Sequence, residues 1–179
     1  MNFDLEDQLR DTIFFSRGGE MARRGLGCYI HNYVIPEFKL GKYGRADLVG
    51  FSFFNDEEAG KECDITIYEL KLKELNIDTI SQVCRYKHAF ERYIDNEKRF
   101  NDYIITLRTV LVGKYENPTP DFKYICSGLD MNFYTYELTE EGIEFKLNFA
   151  RRFDLPDLEN KGFGQDLINL NLDNLNKSL

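Results

Sequence analysis

The stretch DITIYELKLKEL, residues 64–75, constrains this chain more than any other segment. Its β-branched and aromatic residues and its two-residue alternation predict a strand with Ile65, Ile67, Glu69 and Lys71 on one face. That face is apolar at one end and ionic at the other. Such a strand must lie against a core for most of its length. Its charged end needs partners, because unpaired charge on an otherwise apolar face is costly.

The neighbouring segments supply the rest of a sheet. RADLVGFSFFN, residues 45–55, predicts a second strand with Asp47, Val49 and Phe51 on one face, and the polar NDEEAGKE after it reads as a hairpin turn. An earlier strand is expected over CYIHNYVIP, residues 28–36, with a tight turn at GKYG. Residues 78–94 form the longest predicted helix, with Asp78 as N-cap and Ile80, Val83, Cys84, Phe90 and Ile94 on its buried side. A first helix is expected over 5–15, where Leu5, Leu9 and Ile13 make a stripe, with a second piece through GGEMARRG. YIITLRTVLVG and FKYICSG both read as apolar β runs, and MNFYTYEL and IEFKLNF flank TEEG as an antiparallel hairpin. Several strands around one or two helices make an α/β or α+β core. The 179 residues fit one domain over 1–149, followed by an Asn- and Leu-rich extension over 150–179 that packs on the domain or is partly mobile.

Lysines and arginines total 23 against 31 aspartates and glutamates, a net charge of -8, which argues against a passive basic coat for a polyanion. A metal-dependent nuclease stays compatible with that balance, because bound divalent ions reverse the field of the carboxylates that hold them. Cys28, Cys63, Cys84 and Cys126 show no metal spacing, and the start MNFDLEDQLRD has no apolar leader, so free thiols and a cytoplasmic setting are expected. No apolar run reaches membrane-spanning length, so no membrane partner is expected. His31 and His88 make no metal cluster, and GGEMARRGLG lacks the spacing of a nucleotide-binding loop.

The residues that carry chemistry are Asp47, closing GRAD, and Glu69 and Lys71, 22 and 24 positions later. If the two strands are neighbours, the carboxylates converge and Lys71 projects beside Glu69. Two carboxylates are hard oxygen ligands suited to Mg2+ or Mn2+, with coordination positions left for water and a phosphate. Lys71 is placed to orient a water or to stabilise developing negative charge.

With GRAD and the ELK triplet in this order, the chain resembles the PD-(D/E)XK nuclease superfamily, over roughly residues 1–146 and most distinctively over 44–87. Ala46 stands where the family name has proline. Gln82 and Tyr86 lie four residues apart on one helix face and resemble the QxxxY motif of RecB-like branches. The resemblance implies a restriction-endonuclease-like αβββαβ core, a mixed central sheet flanked by helices. It implies metal-dependent phosphodiester cleavage at Asp47, Glu69 and Lys71, with Gln82 and Tyr86 beside the site. It also implies a metal-completing glutamate: Glu20 of the first helical region is favoured, with Glu6 of the same region and the strand-borne Glu37 as alternatives. Arg45, Arg85 and Lys87 are the expected phosphate contacts. The function so implied is that of a Mg2+-dependent deoxyribonuclease in repair, recombination, restriction or phage-related DNA processing. The alternative is a catalytically inactive nuclease-fold module that binds DNA or protein. RNA stays open as a substrate, and a homodimer or a protein partner is open as a source of further contacts.

Overall fold

The computed structural model describes residues 3–16, 18–56, 60–116 and 120–148. Helix α1 (Glu6–Phe15) buries Leu9 and Ile13, one turn apart, and a short α2 (Gly18–Arg23) follows. Strand β1 (Tyr33–Lys39) is joined by a 3-10 turn (Gly41–Tyr43) to β2 (Arg45–Asp56), which pairs with β3 (Gly60–Leu70). A short β4 (Glu74–Leu75) precedes α3 (Ile77–Ile94), and a second 3-10 turn (Lys98–Phe100) leads to β5 (Tyr103–Gly113) and the short β6 (Tyr115–Glu116). Helix α4 (Pro120–Gly128) and the hairpin β7 (Asn132–Thr139) and β8 (Gly142–Asn148) complete the described part.

Six strands form one mixed sheet in the order β1-β2-β3-β5-β7-β8. The β1–β2, β2–β3 and β7–β8 pairs are antiparallel, whereas β3–β5 and β5–β7 are parallel. Parallel neighbours need a crossover, and α3 and α4 supply the two required here. Alternation along each central strand then feeds two cores. Ile65, Ile67, Leu111 and Phe133 pack with Ile80, Val83, Phe90 and Phe122 on the face of α3 and α4. Tyr68, Leu70, Val110, Val112 and Tyr134 pack with Leu9, Ile13 and Met21 on the face of α1 and α2. The result is an α/β architecture with a central sheet flanked by helices, in the αβββαβ order of a restriction-endonuclease-like core.

Three local expectations are corrected. FKYICSG is helix, not strand: Phe122 and Cys126, four apart, are both fully buried, and the segment bridges two parallel strands. The first strand starts at Tyr33 rather than at residue 28, because His31 is drawn out of the ladder. Its ring nitrogens lie 3.0 Å from Ser52 Oγ and 2.7 Å from the Tyr68 hydroxyl, against the bare backbone of Gly50, where a Cβ would collide with the imidazole. The strand then tolerates Pro36 because β1 is a sheet edge. The cap of α3 is Asn76, whose side chain accepts the Thr79 N–H at 3.1 Å, so Asp78 lies inside the first turn. All four cysteines are free thiols, and no described helix is long and apolar enough to cross a membrane. The extension expected over 150–179 lies outside the described residues.

Candidate active site

Strand β3 is central and covered on both faces, so its end is buried even where it becomes ionic. Glu69 is only 1% exposed. The β2–β3 ladder runs as far as Leu48 opposite Tyr68, which sets Asp47 across from Glu69. There the side chain of Asp47 takes over from the ladder: its Oδ2 accepts the Leu70 N–H at 2.7 Å. On the other side of Asp47, the β1–β2 pairing skips one position, where Glu37 adopts a left-handed backbone (φ 51°). A non-glycine residue in that region carries strain of about 1–2 kcal/mol. Two arginines hold Glu37 there, since its Oε1 lies 3.0 Å from Arg10 and 2.9 Å from Arg45.

Lys71 Nζ donates to Glu69 Oε1 at 2.6 Å and lies 3.6 Å from Glu6 Oε2, at the start of α1. The other oxygen of Glu69, Oε2, is buried with no hydrogen-bond partner. Burial, then the charge of Asp47, pushes the Glu69 carboxyl up to about 7, against the opposing pull of Lys71. Burial also raises Asp47, although the Leu70 N–H and Lys71 work the other way. For Lys71, burial disfavours the charge, but the Glu69 hydrogen bond and the fields of Glu69, Glu6 and Asp47 outweigh it and raise its pKa. The group is therefore a pair of crowded carboxylates with one lysine, short of positive charge.

That shortage bears on whether a divalent cation suits these residues. Oxygen donors are the right chemistry for Mg2+, which is held by one or two carboxylates and keeps several waters. The partnerless Oε2 of Glu69 is an acceptor waiting for a cation or a donor. Among the described residues, no group of three or more His, Cys, Asp or Glu side chains stands together as a ready-made metal cluster. The fit rests on Asp47 and Glu69, with Glu6 reaching the same lysine.

Helix α3 supplies a neighbouring wall. Gln82 Nε2 donates to the Tyr86 hydroxyl at 2.8 Å, so the two residues of the QxxxY motif are bonded to each other. Tyr86 is 2% exposed and packs in the core beneath the GRAD turn. Gly44, at φ 111°, would bring a Cβ within 3.2 Å of the Tyr86 ring, so the turn needs both the backbone freedom and the missing side chain of glycine. Arg85 stacks over the Tyr86 ring at 5.6 Å and also reaches Gly44.

The other expected contacts divide. Arg45 is exposed and tied to Glu37, near the group. Lys87 faces the opposite flank of α3, in a groove with Glu91, Ile105 and Leu107. Glu20 is not brought to Asp47 and Glu69: it pairs with Arg24 at 3.2 Å, in a hollow shared with Glu141 and Glu144. Glu6 stands at the lysine instead, and the helical period carries the signal, because the exposed Glu6 precedes the buried Leu9 and Ile13 on the same face of α1. Arg10 was not singled out from the sequence. Its side chain is 12% exposed and meets Asp7, Asp11 and Glu37 at 2.8–3.0 Å, and its charge also acts on Asp47.

No family model matches the chain, and no curated protein matches it. Among solved structures it is similar to a repair endonuclease from Pyrococcus abyssi, with a TM-score of 0.49 and 19% sequence identity over 76% of this chain. The match covers 49% of that protein, so the chain spans about half its length.

Proposed function

We propose that this protein is a Mg2+-dependent deoxyribonuclease that hydrolyses phosphodiester bonds at the end of β3. The observation that carries the reading is Glu69, a buried carboxylate with one oxygen clamped by Lys71 and the other partnerless, across the sheet from Asp47. Asp47 and Glu69 would hold the ion, with Glu6 as the helix-borne third carboxylate. A bound Mg2+ supplies Lewis acidity toward a phosphate oxygen and a lowered pKa for its water. Lys71 stays charged through its carboxylate contacts and offers an ammonium where negative charge grows on the phosphoryl group. Glu69 holds that ammonium in place. Gln82 and Tyr86 fix the GRAD turn that carries Asp47, and Arg45 and Arg85 are the exposed cations available to backbone phosphates. RNA stays within the same chemistry, and a second copy or a protein partner would extend the contacts of so small a domain.

The deciding experiment incubates the purified protein with linear, circular, single-stranded, flap and junction DNA and an RNA control, with Mg2+, Mn2+ or EDTA. Metal-dependent cleavage lost in Lys71→Ala supports the enzyme. A second reading, a nuclease-fold binding module without turnover, draws on the lack of a three-ligand cluster among the described residues. DNA retention in EDTA with no cleavage under any condition would favour it.

A further inference from the structure

The face of α3 that carries Gln82 and Tyr86 continues through Ala89 to Arg92 and Tyr93, at spacings that keep these residues on one side of a helix. Arg92 thus lies about 15 Å along the axis from Gln82. There α3, the end of β1 and the turn Gly41–Tyr43 enclose a groove of about 530 Å3. Phe38, Tyr43, Phe90 and Tyr93 line it with aromatic surface, Lys39 and Arg92 line it with positive charge, and no described carboxylate does.

The charge here runs against the molecule as a whole. Lys42 sits over the Tyr43 ring at 5.3 Å, and Arg85 covers Tyr86 between this groove and the candidate site. Among the described residues, none of Lys39, Lys42, Arg85 and Arg92 enters an ion pair. Lys39 and Arg92 in the groove, with Lys42 and Arg85 on its flank, make a local site for an anion in a chain of net charge -8. Tyr93 is also held in position. It is 48% exposed, yet its hydroxyl donates to Glu97 Oε2 at 3.1 Å and accepts from Arg99 at 2.9 Å.

We infer that this groove binds a single-stranded segment of nucleic acid leading to or from the candidate active site. Its bases lie against Tyr43 and Tyr93, and its phosphates against Lys39, Lys42, Arg85 and Arg92. A cationic groove with exposed aromatic faces is the combination that holds single strands without reading sequence. A duplex keeps its base faces stacked inside and cannot use the rings. The inference rests on the nuclease reading for its direction, since both sites share α3.

The test is fluorescence anisotropy of a labelled oligo(dT) in EDTA, where binding is scored apart from cleavage, with thermal melts as folding controls. Tyr93→Ala should weaken binding about tenfold, the size of one lost base stack, whereas Tyr93→Phe should keep most of it. Arg92→Glu should weaken binding and flatten its salt dependence. Lys146→Glu, an equal charge change on β8 at the far sheet edge, should change binding by no more than about twofold. The inference is overturned if oligo(dT) does not bind, if Tyr93→Ala binds as tightly as the parent, or if these variants instead abolish self-association in sedimentation. Asp47→Asn separates the two readings. Tyr93-dependent binding with no cleavage by any protein sinks the nuclease and leaves the groove; Asp47-dependent cleavage with Tyr93-independent binding does the reverse.

Discussion

Lys71 Nζ lies 2.6 Å from Glu69 Oε1, while Oε2 of the same buried carboxylate has no partner. One half of Glu69 thus acts on the lysine and the other half is open to a cation. Replacing Lys71 by Ala removes the ammonium and leaves a buried carboxylate alone beside Asp47. Cleavage should fall by at least about 100-fold, the usual size of a lost transition-state donor, in a protein that still melts cooperatively. Near-parental turnover in Lys71→Ala would remove Lys71 from the chemistry.

The two first-helix glutamates give opposite expectations. Glu6→Gln should raise the Mg2+ concentration for half-maximal cleavage about tenfold, since it removes the negative charge that Glu6 places at Lys71 beside both carboxylates. Glu20→Gln, which only breaks the Arg24 pair, should leave the titration within about twofold. A reversed ranking would return the third carboxylate to Glu20.

Glu69 and His31 pull the pH dependence of stability in opposite directions. The folded Glu69 carboxyl titrates near 7 against an ordinary 4.5, so it keeps its proton where the unfolded chain has lost it. Stability therefore falls as pH rises across that window. His31 is pushed down from 6.5 to about 4 by burial, with Asp64 opposing, so its contribution rises with pH over that range. Without metal, the two slopes oppose each other in the parent between about pH 4.5 and 6.5, so removing either group should tilt the Tm profile toward the other's direction. Glu69→Gln should rise with pH and His31→Gln should fall. Parallel profiles for the two variants would contradict these assignments.

Two substitutions report on the scaffold. Asn76→Ala removes the α3 cap and should cost about 1 kcal/mol in urea denaturation, whereas Asp78→Ala should cost no more than a few tenths. Gly50→Ala drives a methyl into the His31 ring and should cost about 1–3 kcal/mol. An Asp78 effect larger than that of Asn76 would contradict the cap.

The legible parts of this chain were those decided by neighbours in sequence. Alternation in 64–71 marked β3 and the point where it turns ionic, and the 3.6-residue period marked α1 and α3. FKYICSG was misread because its apolar residues suit either a strand or a buried helix, and short apolar runs do not distinguish the two. The start of β1 was misread because β propensity cannot anticipate that His31 turns inward to Ser52 and Tyr68, 21 and 37 residues away.

Periodicity over a few residues in the sequence marked α1, β2, β3 and α3, and the resemblance carried by GRAD, ELK and QxxxY implied the αβββαβ order and pointed to Asp47, Glu69 and Lys71. Tertiary structure alone decided which glutamate lies at Lys71 and which cations share a groove. Glu6 meets Lys71 only because α1 packs across the sheet at the end of β3, and Lys39 meets Arg92 only because β1 ends beside α3. Those meetings depend on strand order and helix placement, which long-range packing sets and no local period records.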